Sequence, residues 1–191
     1  MNIHGTITVV KNREDGNDVE ETNILVVDDE KEIADLLEIY LISDGFQVLK
    51  AYSAKEGLRI LEEKKIDLVL LDVMMPDMNG FEVLSQMTQQ NWIEDIPVIM
   101  ISSEDSELHI RQAYEMGVSD YISRPFDTSV VLQRVYNTIK LYAKQRKLID
   151  LVAGQMQEKE KNNQIMVNIL SHIVECRNGE SGQHVRNIGI L

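Results

Sequence analysis

Three kinds of polar side chain close four short apolar runs in this chain, and together they suit the handling of a phosphoryl group. NILVVDDE ends in Asp28 and Asp29, DLVLLDV carries Asp72, PVIMISS leads to Ser102, and DYISRPF stops at Arg124 before Pro125. Carboxylates brought together repel and raise one another's pKa unless a cation neutralises them. A hard divalent ion does so, and Mg2+ takes one or two carboxylates while keeping waters for an incoming phosphate. With the metal bound, Asp72 stays ionised and can attack phosphorus to give an aspartyl phosphate. The charge on the equatorial oxygens is then met by positioned electrophiles: Mg2+, the Ser102 hydroxyl and Arg124. Singly, each aspartate reads as a turn or helix-cap residue and the arginine as a surface charge. Their coincidence at successive run ends is what points to chemistry.

Something must bring those run ends together. Short apolar runs recur at 23–28, 46–51, 67–73, 96–102 and 119–123, with segments of helical spacing between them. Ile33, Leu36, Leu37, Tyr40 and Leu41 share one helical face, as do Ala54, Leu58 and Leu61. Strands alternating with helices mean βαβ units and a mostly parallel sheet. A run as apolar as LVLLDV suits a central strand covered on both faces. In an open parallel sheet the carboxyl ends of the strands lie along one edge, where ligands bind at the topological switch point. Arg124 is biased away from helical geometry by the following proline, which holds its cation at that edge.

Composition limits the classes of partner. The 191 residues are 43% hydrophobic, enough for one substantial core. A formal net charge of −13 argues against nucleic acid or an anionic membrane surface as a direct partner. The single cysteine, Cys176, excludes an internal disulfide framework and fits a reducing compartment. No run approaches the roughly 20 apolar residues of a spanning helix, and no basic-then-apolar leader opens the chain. A soluble, cytoplasmic protein is expected.

ILVVDDE, DLVLLDVMMPDMNGFEVL, PVIMISS and GVSDYISRPF closely resemble the receiver domains of two-component response regulators, over residues 23–140. The resemblance implies a flavodoxin-like, doubly wound five-stranded parallel sheet of order 2-1-3-4-5. It also implies roles: Asp72 as phosphoacceptor, Asp28 and Asp29 as the acidic metal pair, and the Met74 backbone carbonyl as a further Mg2+ ligand. Ser102 matches the family's switch hydroxyl and Tyr121 its switch aromatic, and the Arg124–Pro125 bond falls where the family has a cis peptide. By the same resemblance, Met74 and Glu104 occupy positions that tune how water reaches the acyl phosphate. One departure stands out, because the family has lysine where this chain has Arg124. A planar, multidentate guanidinium is not equivalent to an ammonium at a site of fixed geometry.

The flanks read differently. Residues 1–22 are expected to be a flexible acidic tail, with ITVV as an accessory strand. Residues 128–175 hold no proline and only Gly154, so a long helix follows the last strand. Leu141, Leu148, Gln155, Asn162 and Ile169 recur every seven residues, with Gln145, Val152, Lys159, Met166 and Ile173 four behind. That seam fits either a homodimeric coiled coil through a linker at 141–174, with Asn162 fixing register, or an amphipathic helix packed on its own domain. Residues 175–191, beginning ECRNGESGQHV, resemble the truncated start of an HD-GYP domain, a metal-dependent phosphodiesterase module for cyclic di-GMP. By that resemblance Glu180 and His184 match early metal ligands, and on a helix their spacing puts them on one face.

Two functions compete. The first is a receiver phosphorylated on Asp72 by a sensor histidine kinase or phosphotransfer protein, regulating an attached output domain. The second is a receiver-shaped module that dimerises and signals without phosphorylation, with Arg124 as the mark of lost switching. The intact aspartate trio favours the first. Phosphodiesterase activity of this stretch itself is not expected, because the paired His-Asp of an HD-GYP domain lies beyond it.

Overall fold

The computed structural model describes residues 22–103 and 106–188, with side chains described through residue 173. The expected N-terminal tail and its ITVV strand, Glu104, and the side chains of Cys176, Glu180 and His184 lie outside the described residues. The chain divides into two compact units between Ile139 and Lys140.

The first unit alternates strand and helix. In chain order it has β1 (Asn23–Val27), α1 (Lys31–Ser43), β2 (Gln47–Ala51), α2 (Ala54–Glu63) and β3 (Leu68–Asp72). Then come α3 (Gly80–Gln89), α4 (Trp92–Asp95), β4 (Val98–Ser102), α5 (Glu107–Glu115), β5 (Asp120–Ser123) and α6 (Thr128–Ile188). All strand pairs are parallel, in the order β2-β1-β3-β4-β5. This is the parallel sheet expected from the alternating pattern, in the flavodoxin-like order that the family resemblance implies. The single turn α4 was not anticipated, being too short to show a period; it starts from Asn91 in the left-handed conformation (φ 59°).

Alternation along the strands builds two cores. Leu25, Val27, Val69, Leu71, Val98 and Met100 face one side, against Leu61, Val83, Leu84, Met87 and Ala113 of α2, α3 and α5. Ile24, Val26, Leu68, Leu70, Ile99 and Ile101 face the other, against Leu37 and Leu41 of α1 and Val131 and Val135 of α6. Every residue of β3 and β4 is buried, as a sheet covered on both faces requires. Helix starts are set by side chains. Ser53 and Ser106 accept from Glu56 and His109 N–H groups, and Asn79 forms a reciprocal capping box with Glu82.

The second unit is helical. Residues 140–188 continue α6, and Leu141, Leu148, Val152, Met166, Ile169 and Ile173 of the expected seam are all exposed. So are Ile149, Met156 and Leu170, which lie beside that seam. No helix among the described residues is long and apolar enough to cross a membrane.

Candidate functional site

The strand order reverses between β1 and β3, so their carboxyl ends open the crevice where such sheets bind ligands. Asp28 directly follows β1. Its N–H donates to the Ala51 carbonyl at the end of β2, and its Oδ1 accepts from the Glu30 N–H at 3.0 Å. That turn starts α1, whose N-cap Glu30 makes no side-chain cap bond. The Glu30 carboxylate is used elsewhere, as described below.

Asp72 is the last residue of β3, and its position depends on a close approach. The Gly80 N–H donates to the Val73 carbonyl at 2.9 Å, drawing the start of α3 onto the strand end. A Cβ at Gly80 would lie 2.5 Å from the Asp72 carbonyl oxygen. Glycine is therefore required there, and an NG pair opening a capped helix is the sequence signal that could have shown it.

Asp28, Asp29 and Asp72 converge. Each offers one carboxylate oxygen, and the three oxygens lie within 4.8 Å of one another. Asp28 and Asp72 are only 1% and 3% exposed. Burial pushes the Asp72 carboxyl up to about 6, with Asp28 and Asp29 adding to the rise; Arg124 and the Met74 backbone N–H oppose it. Burial also raises Asp28, against the opposing Arg124 and Glu30 N–H. Acids held above their ordinary range by burial and mutual repulsion are short of positive charge. That shortage, with three all-oxygen donors on one small volume, fits a hard divalent cation such as Mg2+.

Arg124 supplies the cation present. Its Nη2 donates to Asp28 Oδ2 and lies 3.1 Å from Asp72 Oδ1, while Nη1 donates to Glu30 Oε1 at 2.6 Å. Pairing with Asp72 follows from the reach of arginine. The closer engagement with Asp28 and Glu30 has no local signal in the sequence. The Arg124–Pro125 peptide is cis.

Ser102 and Tyr121 are placed by register. Asp72 pairs with Ile101, and Ser102 is the next residue of β4. Its side chain is buried, and its carbonyl accepts from the Arg124 N–H at 2.6 Å. Tyr121 pairs with Met100 and is 6% exposed, its ring part of the core under α3 and α5. The Met74 side chain is exposed, while its backbone N–H hydrogen-bonds the Asp72 carboxylate.

A flavodoxin-like sheet with an acidic triad, a hydroxyl and a cation at its carboxyl edge defines a class, and comparison with known proteins agrees with it. The family of response regulator receiver domains matches residues 24–136, and the chain belongs to that family. Among individual proteins it is 36% identical over 149 residues to the regulatory protein VanRc of Enterococcus gallinarum, covering 78% of this chain and 62% of that one. It is 32% identical over 156 residues to the regulatory protein VanR of Enterococcus faecium, covering 80% and 62%. The chain thus spans 62% of the length of both curated relatives. The crystal structure of a CheY-like receiver domain from Methanospirillum hungatei superposes with a TM-score of 0.62 at 27% identity, covering 65% of this chain and 98% of that one.

Proposed function

We propose that this chain is a phosphoacceptor receiver in which Asp72 takes a phosphoryl group from the phosphohistidine of a sensor histidine kinase or phosphotransfer protein. An Asp72 carboxylate oxygen forms the new bond to phosphorus as the P–N bond to histidine breaks, leaving an acyl phosphate on this chain. The observation that carries this reading is the burial of Asp72 among two further carboxylates and Arg124 at the switch point of the sheet.

Asp28, Asp29, Asp72 and the Met74 backbone carbonyl are the proposed Mg2+ ligands. Bound Mg2+ would supply positive charge to the transferring oxygens and keep Asp72 ionised at neutral pH. Arg124 and the Ser102 hydroxyl contact the arriving phosphoryl oxygens, and Tyr121 responds to Ser102 from the same face of the sheet. Incubation with Mg2+ and acetyl phosphate is expected to add one phosphoryl group by intact mass. Asp72→Asn or removal of Mg2+ abolishes the addition, and undiminished labelling of the Asn variant refutes the assignment.

One observation favours a second reading, a receiver-shaped module that signals without phosphorylation. Arg124 is already engaged by Asp28, Glu30 and Asp72, which holds the site in one arrangement. Mass addition at Asp72 with no change in hydrogen exchange across 102–124 would favour that module.

For the chain as a whole we propose a receiver at 23–140, a linker helix at 141–174 that pairs with a second copy, and the start of an HD-GYP output domain at 175–191. That both relatives are named regulatory proteins supports a signalling part. The exposed apolar side chains of α6 support the pairing. Light scattering is expected to give a dimer for the whole chain and a monomer for one cut at Lys140; a dimer in both would move the interface to the receiver.

A further inference from the structure

We infer that Arg124 is a built-in counter-ion of the acidic site, seated where it must be displaced before a divalent cation can use Asp28 and Asp72 together. The inference rests on the Mg2+ reading above and concerns what this chain's own residue does to it.

The geometry is specific. One nitrogen, Nη2, bonds Asp28 Oδ2 and lies 3.1 Å from Asp72 Oδ1, so it stands between two members of the triad. The second nitrogen, Nη1, is tied to Glu30 Oε1 at 2.6 Å. The Arg124 side chain is 12% exposed, and its Nε is buried with no hydrogen-bond partner. The guanidinium is thus committed to carboxylates at its outer end and has no competing anchor along its stem.

A divalent ion of the Mg2+ type needs carboxylate oxygens at about 2.0–2.1 Å in near-octahedral geometry. Oxygens already turned toward Nη2 are offered to a donor of another shape. Ion and guanidinium also neutralise the same charges, so each weakens the hold of the other, by an equal factor in both directions. An ammonium on a flexible stem makes a point contact and can withdraw without breaking a second bond. The arginine fork, held through Glu30 as well, cannot. The substitution at this position is therefore read as one that raises the Mg2+ concentration at which the site loads.

The test is calorimetric titration of the whole chain with MgCl2, without phosphodonor. Arg124→Lys keeps the charge and removes the two-point clamp, and it is expected to bind Mg2+ more tightly by a factor within the usual coupling range of about 5-fold to 150-fold. Arg124→Ala should bind at least as tightly. In the unsubstituted chain, the Arg124 side-chain N–H resonance is expected to shift on adding Mg2+, as the guanidinium leaves its seat. Tightening in the alanine variant alone would show that net charge, not seating, sets the affinity, and would overturn the inference. So would equal affinity in all three proteins. If none binds Mg2+, the metal reading itself fails. Circular dichroism checks folding, and should the alanine variant unfold, the lysine variant and the resonance shift decide the matter.

Discussion

Two arginines stand at opposite ends of β5 and meet carboxylates in opposite settings. Arg134, from α6, bonds Asp120 at the start of the strand at 2.6 Å, with side chains 40% and 21% exposed. The same Asp120 oxygen accepts from the Tyr121 N–H and the Tyr114 hydroxyl. Water reaches the charges there, so the cluster ties α5, β5 and α6 together at little electrostatic cost. Arg124, at the other end, faces two aspartates that are nearly inaccessible, and its single charge does not cancel theirs. The same pair of residue types thus yields a fastener at one edge of the sheet and a poised, under-neutralised site at the other. Burial and the ratio of charges make the difference, not residue identity.

Mutating the two arginines should break the symmetry most visibly. Arg124→Ala leaves buried carboxylates without their counter-ion, which costs on the order of 3 kcal/mol at neutral pH. The loss should shrink as acid protonates Asp28 and Asp72, and denaturant melts at two pH values measure it. A loss independent of pH would mean that the guanidinium acts through packing.

The next effect has the opposite sign. Asp72 sits at about 6 when folded against an ordinary 3.8. Between those values the folded, metal-free chain holds a proton that the unfolded chain has released. Stability through this group therefore falls as pH rises toward about 6 and stays lowered above it. Asp72→Asn removes this effect and should stabilise the metal-free protein by at most about 3 kcal/mol at pH 7. The gain should fade toward pH 4, as thermal melts across that range would show. Arg134→Ala should be the mildest change, about 1 kcal/mol or less and weakened further by salt. A cost equal to that of Arg124→Ala would end the contrast between the two edges.

Much of this arrangement is legible in the sequence because burial and topology leave a periodic trace. LVLL and VIMI suit central strands, and their alternation with helices puts the strand ends along one edge; Asp72, Ser102 and Arg124 follow as edge residues. What the pattern does not carry is contact between side chains far apart in the chain. Glu30 stands at the start of α1, and nothing local in the sequence shows that its carboxylate reaches Arg124, 94 residues on. The Asp120–Arg134–Tyr114 cluster is hidden for the same reason. Gly80 has a local signal, yet the need for glycine arises from the backbone of a different element. The seven-residue recurrence along α6 marks one seam, but Ile149, Met156 and Leu170 beside it show that more than one face is apolar.

The rung between the Arg124 N–H and the Ser102 carbonyl has a consequence in time rather than in energy. At 2.6 Å it continues the β4–β5 ladder past the last paired residues, Ser102 and Ser123. The backbones carrying the hydroxyl and the guanidinium are therefore one mechanical piece. A movement at the end of β4 reaches Arg124 without waiting for a side chain to find a new rotamer. Probes placed on the two residues should relax with a single shared rate constant, and the Arg124 amide should exchange with solvent on the clock of the sheet, not of the loop that follows it.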